Sequence, residues 1–326
     1  MDRRSPQDDG LPTHSRPSSP PCEQVIPNWV PASGVVLFVA EKGAGKTIAA
    51  LDQALSLATD QDAWQGYDIK QGLFVVYLCG ESQELTTAHA MAWCREHDVD
   101  PADARTRFLL LPRAPALLNE HDVDALIAHL QERLPPSMGA VIYIDTLQRA
   151  ISGTDPNDFK TMSVVMENAE KLGKALHAPV VVIAHPAKGR KGGEALGSSV
   201  FGNDNAAQWE ITCHDGEKQV RCSDHPTAER RIRVTRYKGS DSIETLRARL
   251  HKVPIGYQDD FGQERTGGVL QRAATVNTTP RAGVALPEQV AALHAQGQGE
   301  QKIADQLGIS RYQVRKHLNQ DQPWAD

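Results

Sequence analysis

Between positions 40 and 47 the chain reads Ala40-Glu-Lys-Gly-Ala-Gly-Lys-Thr47. Residue types at this spacing suit a triphosphate. Glycines let main-chain N–H groups turn inward around phosphate oxygens, a lysine reaches the β- and γ-phosphates, and a hydroxyl takes magnesium. The assigned phosphate-binding set is Ala40, Glu41, Lys42, Gly43, Ala44, Gly45, Lys46, Thr47 and Ile48. Ala40 stands where the pattern usually has its first glycine, a departure that a small side chain tolerates. Two acids follow apolar runs elsewhere: Val141-Ile-Tyr-Ile-Asp145 and Val75-Val-Tyr-Leu-Cys-Gly-Glu81. Asp145 is expected to hold magnesium together with Thr47. Glu81 is the candidate base that polarises the attacking water, because hydrolysis of a phosphoanhydride needs a positioned nucleophile more than covalent chemistry. Either acid on its own also reads as a solvated strand-end residue. The expected cofactors are ATP and Mg2+, and the expected activity is ATP hydrolysis.

Such residues need a sheet whose strand ends converge. Near-continuous Val, Ile, Leu and Phe runs at Val35–Ala40, Leu73–Glu81, Arg107–Leu111, Ala140–Thr146 and Pro179–His185 predict strands buried on both faces. Helical patterns lie between them at Lys46–Thr59, Thr86–His97, Glu120–Leu134 and Asp158–His177. In the last, Met162, Val165, Met166, Ala169 and Leu172 recur at three- and four-residue spacing, with Asp158 at the N-terminal end. This alternation predicts an α/β fold with a mainly parallel sheet. Runs at Gln208–Cys213, Val220–Ser223 and Arg231–Tyr237, separated by polar turns, predict a β-meander that extends it.

Composition bounds the rest. With 326 residues the chain exceeds one ordinary core. The expected organisation is a tail over 1–24, rich in Pro, Ser and Asp; an ATPase domain over 25–270; a small, polar linker over 271–285; a helix-turn-helix module over 286–320; and a short tail over 321–326. No run approaches membrane-spanning length and no apolar stretch follows the charged start, so a cytoplasmic protein without a membrane partner is expected. Five cysteines without a CxxC pair predict reduced thiols. Cys213, His214, Cys222 and His225 read either as strand and turn residues or as a loosely spaced zinc set.

A net charge of −6 means that nucleic acid would have to be met by local basic clusters. One follows Pro179–His185 directly: Lys188, Arg190 and Lys191 in a glycine-rich stretch ending at Ser199, suited to phosphate contacts or to covering the nucleotide, and otherwise a plain solvated loop. In the terminal module Ala304 is placed at a helix crossing and Gly308 in a turn. Ser310 caps a second helix, and Ile303, Leu307, Val314 and Leu318 form a core. Arg311, Tyr312, Gln313, Arg315 and Lys316 then fall on or beside the exposed face, suited to duplex DNA, although such modules also serve only as protein adaptors.

With the glycine-rich loop, Glu81 and Asp145 in hand, residues 25–270 resemble the RecA-like ATPases, and most closely the RepA-type hexameric replicative helicases of plasmids and phages. Pro27-Asn-Trp-Val, Val76-Tyr-Leu-Cys-Gly-Glu81, Asp145-Thr-Leu-Gln-Arg149 and Val182-Ile-Ala-His185-Pro-Ala-Lys188-Gly carry the resemblance. It implies that His185 senses the γ-phosphate and passes the signal to a DNA-facing loop; taken alone His185 is an ordinary strand-end histidine. It also implies that Arg236 and Lys238, in Arg233-Val-Thr-Arg236-Tyr-Lys238-Gly, are cations reaching a neighbouring subunit's nucleotide. Strand alternation puts both on one face, where they would equally serve as a solvated basic edge. A cation supplied in trans requires head-to-tail contacts, which close into rings or run on as filaments. The resemblance implies a hexameric ring on single-stranded DNA. The terminal module departs from that family's compact pattern, which keeps open a DNA-binding ATPase regulator or a filament-forming recombination mediator.

Overall fold

The computed structural model describes residues 24–113, 116–151, 154, 158–186, 205–238, 244–273, 286–307, 309, 314–315 and 317–318. The expected N-terminal tail up to position 23 and the linker from 274 to 285 lie outside the described residues, as do Lys188, Arg190, Lys191, Arg311, Tyr312, Gln313 and Lys316.

A short β1 (Gln24–Ile26) and β2 (Val30–Pro31) precede β3 (Val35–Ala40), all six of whose residues are buried. The phosphate-loop candidate follows and leads into α1 (Lys46–Ala58). A hairpin of β4 (Ala63–Trp64) and β5 (Tyr67–Asp68) then brings the chain to β6 (Leu73–Cys79), α2 (Gln83–Glu96), α3 (Pro101–Arg107) and β7 (Phe108–Leu111). After α4 (Glu120–Arg133) come β8 (Gly139–Asp145), the one-turn α5 (Leu147–Ala150), α6 (Phe159–Leu176) and β9 (Val180–Ala184). Helix starts are fixed by side chains: Ser82, Asn119 and Asp158 accept from Leu85, His121 and Thr161 main-chain N–H groups.

The sheet runs β7-β6-β8-β9-β3-β10, all parallel, where β10 is Ala207–Asp215. It continues antiparallel through β12 (Glu229–Tyr237), β13 (Thr245–Gln258) and β14 (Glu264–Arg272), with β11 (Lys218–Val220) beside β10. The expected α/β class and the extension by a meander are both present. All five apolar runs became parallel strands, because strands covered on both faces need little else than β-branched and aliphatic side chains.

Two apolar clusters fill the two faces. One gathers α1 and α2 with Phe38, Trp29, Trp64 and Trp209; the other gathers α4 and α6 with Leu37, Ile142 and Val182. α1 lies so deep that four of its polar residues, Lys46, Asp52, Gln53 and Ser56, are buried, and each makes at least one hydrogen bond. Asp52 accepts from Trp64 Nε1 (2.8 Å), Gln65 Nε2 (2.9 Å) and Trp93 Nε1 (3.0 Å), and Gln53 accepts from the Tyr143 hydroxyl (2.8 Å). Buried polar atoms cost stability unless they are bonded, and of the Gln53 amide only the oxygen is; its Nε2 is buried without a partner.

Three expectations need correction. β13 and β14 extend the meander well beyond Tyr237; their apolar residues alternate with Arg, Lys and Gly along half-buried strands, which weakens the signal. β14 runs to Arg272, so the first two residues assigned to the linker belong to the sheet. Cys213 and Cys222 are not thiols but a disulfide, with Cα atoms 5.3 Å apart; the β10–β11 turn folds the chain back and sets them side by side. Cys79 and Cys94 are buried and free. Among the described residues no group of three or more His, Cys, Asp and Glu could hold a metal, and with both thiols taken up in the disulfide the zinc reading of that cluster falls away. Nor, among them, is any helix long and apolar enough to cross a membrane.

Past position 285, α7 (Leu286–Ala295) and α8 (Glu300–Leu307) pack Val290, Ile303, Ala304 and Val314 into a small core with Leu307 and Leu318 at its margin. Ala304 is fully buried there, as expected of a small residue at a helix crossing.

Candidate phosphate-binding site

β3 delivers the loop and α1 receives it. Gly43 (φ 83°) and Gly45 (φ 90°) both take the left-handed region that favours glycine. Gly45 is the N-cap of α1 and supplies no side chain to its first N–H groups, so these face the loop's interior as a ready anion site. At the back of the loop the meander is tightly packed: a Cβ on Gly45 would lie 2.5 Å from Leu250 Cδ1, and one on Gly43 would lie 3.5 Å from the Ser223 main chain. The antiparallel extension is therefore the bed on which the loop rests.

Lys46 is 7% exposed and its Nζ donates to the carbonyls of Ala40 (3.0 Å) and Glu41 (3.1 Å) and to His185 Nδ1 (3.1 Å). Burial lowers its pKa to about 8, with Asp145, Glu81 and Glu41 opposing the shift. Burial also lowers the pKa of His185, and the Lys46 charge lowers it further. A neutral imidazole accepting from the ammonium fits both shifts.

Thr47 Oγ1 donates to Asp145 Oδ2 at 2.8 Å, and the Tyr77 hydroxyl donates to the same oxygen at 2.7 Å. Asp145 is 1% exposed, and its Oδ1 is buried without a hydrogen-bond partner. Burial raises the pKa of Asp145 against the opposing pull of Tyr77 and Thr47. An unpartnered carboxylate oxygen beside a hydroxyl is a hard-oxygen donor set, which fits Mg2+. β6 and β8 pair Cys79 with Asp145, so Glu81, two residues past the strand end and exposed, joins the same charge cluster and acts on Lys46, Asp145 and His185.

The fold thus brings Lys46, Thr47, Glu81, Asp145 and His185 together. Arg236 and Lys238 are elsewhere. Arg236 pairs with Gln208, Gln208 pairs with Leu37, and Lys238 N donates to the Ala206 carbonyl, at the end of the sheet remote from the loop. Four strand residues separate that level from Glu41, about 13 Å along the strands. Both residues flank buried Tyr237, hence share a face, as the alternation predicts. Arg315 is the described member of the terminal basic set. It donates to Glu300 (2.7 Å) and to Asp62 of the ATPase domain, while Gln301 donates to the Gly66 carbonyl (2.8 Å).

Two residues of the site escaped the sequence reading. Tyr77 left a signal: a tyrosine in a fully buried strand must find a partner for its hydroxyl, and the buried acid on the adjacent strand is that partner. Arg230 left none, since its contacts are to main chain.

Strand, loop, helix and converging acids define a nucleotide-binding P-loop ATPase of α/β fold with a mainly parallel sheet. The chain belongs to the AAA domain family, matched over residues 3–191. No curated protein matches it. Among solved structures it is similar to an ATPase domain (TM-score 0.47, 13% identity, covering 72% of this chain and 84% of that one). It is also similar to a DnaB-like replicative helicase (TM-score 0.48, 14% identity, 68% and 57%) and to the RadB recombinase (TM-score 0.42, 14% identity, 66% and 86%).

Proposed function

We propose that the protein is an ATP-driven translocase or helicase of the RepA type, acting on single-stranded DNA in plasmid or phage replication. Its ATP is held by residues 40–48, with Mg2+ on Thr47 and Asp145 and with Glu81 polarising the attacking water. The carrying observation is the contact of Lys46 Nζ with His185 Nδ1 at 3.1 Å. A lysine that must turn to a γ-phosphate lets go of His185, and His185 lies three residues before the basic stretch of Lys188, Arg190 and Lys191. Phosphate occupancy and DNA grip then share one strand end.

Arg236 and Lys238 stand too far along the sheet to serve their own loop, which favours a neighbour's nucleotide as their target and a hexameric ring as the assembly. Mixing supplies the test. Lys46→Ala and the double variant Arg236→Ala/Lys238→Ala are each expected to lose ATP turnover, and a mixture is expected to regain it at interfaces that pair an intact loop with intact cations. DNA-stimulated ATPase and strand displacement in the wild type complete the expectation. Turnover by a dilute monomer, indifferent to DNA and to loss of Arg236 and Lys238, overturns it.

A second reading is favoured by one observation. Arg315, from the module expected to bind duplex DNA, bonds Asp62 of the ATPase domain, so the module could address a DNA-binding regulator. Sequence-selective duplex binding lost on deletion of residues 286–326, without unwinding, supports that reading; duplex binding that survives the deletion excludes it.

A further inference from the structure

Arg230 is 1% exposed in the middle of the meander, opposite Cys213 on β10 and Ala248 on β13. Its hydrogen-bond partners among the described residues are main-chain carbonyls. Nε donates to Ala44 (3.4 Å), Nη2 to Gly43 (3.4 Å), and Nη1 to Pro226 (2.8 Å) and Ala228. Two of these carbonyls belong to the phosphate loop. The other two belong to the segment that starts at Cys222, is tied to β10 by the Cys213–Cys222 disulfide, and lies against Gly43.

We infer that Arg230 is a positioning residue for ATP: it fixes the phosphate loop from behind and lends it charge. In a trans peptide the carbonyl and the following N–H point in opposite directions. A guanidinium that holds the Ala44 carbonyl against the meander therefore sends the Gly45 N–H away from it, toward the loop's interior. The Gly43–Ala44 peptide is held at both ends, its carbonyl by Arg230 and its N–H by the Glu41 carbonyl (3.2 Å). A cation bonded to the carbonyl end of a peptide also polarises its N–H, so the loop's donors meet phosphate oxygens with added strength. Burying this guanidinium among neutral carbonyls carries a desolvation cost, and a bound triphosphate, one peptide away, offsets it. Planarity matters: a guanidinium forks to two successive carbonyls and reaches the strap as well, which a lysine ammonium cannot do.

The inference rests on residues 40–48 being the ATP site, and the experiment separates the two. Binding of ATP with Mg2+ to the full chain is measured by calorimetry, and the ATP-induced rise in melting temperature by scanning calorimetry, for wild type, Lys46→Ala, Arg230→Lys and Arg230→Met. Arg230→Lys keeps the charge and most of the volume and serves if the methionine variant does not fold. The expected result is roughly tenfold weaker ATP binding in Arg230→Lys. The ATP-induced shift shrinks relative to that variant's own ligand-free melt, and KM rises while kcat changes little. A merely structural arginine lowers the ligand-free melt and leaves the ATP-induced shift intact, and that outcome overturns the inference. Wild type and Arg230→Lys binding ATP equally while Lys46→Ala does not also overturns it, with the site reading left standing. Failure of the wild type to bind ATP removes the site reading and the inference together.

Discussion

Thr47 on the first turn of α1 and Asp145 at the end of β8 are joined by a 2.8 Å hydrogen bond, although 98 residues separate them in the chain. The bond aligns a hydroxyl and a carboxylate whose second oxygen is buried and unpartnered. Replacing Thr47 by Ala, or Asp145 by Asn, is expected to lower ATP turnover by two orders of magnitude or so, about 3 kcal/mol in the barrier. The magnesium concentration needed for half-maximal activity should rise at the same time. Titrating Mg2+ against steady-state ATPase checks this; an unchanged magnesium requirement in both variants rejects the ligand assignment.

Lys46 should make ATP binding depend on pH. Its folded pKa, about 8, lies below the ordinary 10.5 because burial disfavours the charged form. Between these values the unfolded chain holds more protons than the folded one. This group's contribution to stability therefore rises with pH from about 8 to 10.5 and is flat below 8. Binding runs the other way, because phosphate needs the ammonium. ATP affinity is expected to fall as pH climbs through about 8, with proton uptake on binding, measurable by calorimetry in buffers of different ionisation enthalpy.

Gly45 and Leu250 should couple. An alanine at Gly45 must adopt φ near 90° and put its Cβ 2.5 Å from Leu250 Cδ1. Gly45→Ala is expected to cost about 2 kcal/mol or more, of which the left-handed backbone accounts for roughly 1 to 2. Adding Leu250→Ala relieves the clash but not the backbone strain. A double-mutant cycle by denaturant unfolding should show a coupling of about 1 kcal/mol. Strict additivity would mean that Leu250 moves aside at no cost.

The Cys213–Cys222 disulfide closes a loop with a sequence separation of 9. On chain-entropy grounds its removal is expected to cost about 2 to 3 kcal/mol. Cys213→Ser/Cys222→Ser should melt lower than the oxidised wild type, and reduction of the wild type should bring it down to meet the variant. Thiol titration of the untreated protein provides the independent count of bonded cysteines.

The chemistry of the loop was legible in residues 40–47, and the acid of β8 in a single apolar run ending at Asp145, because both signals are local. Burial on two faces likewise made the parallel strands easy to place. Tyr77 and Arg230 were both missed as site residues, although only Tyr77 left a signal, its hydroxyl in an otherwise apolar strand. One lies in a strand adjacent to its partner, and the other touches only carbonyls, which carry no side-chain identity for a sequence to display. β13 and β14 hid for a related reason: half-exposed strands mix Arg and Lys with Leu and Val, and what decides their place is the register with β12. The disulfide was misjudged because 213 and 222 meet only through the β10–β11 turn, which no cysteine spacing announces.

Arg315 has one guanidinium, and it is spent on Asp62 and Glu300. A polyanion that recruits this side chain has to compete with both carboxylates for it. A change of shape near Asp62, sixteen positions beyond Lys46 in the sequence, would act on the same contact. With the Gln301–Gly66 bond, this fork is one of two polar ties by which the terminal helices sit on the hairpin after α1.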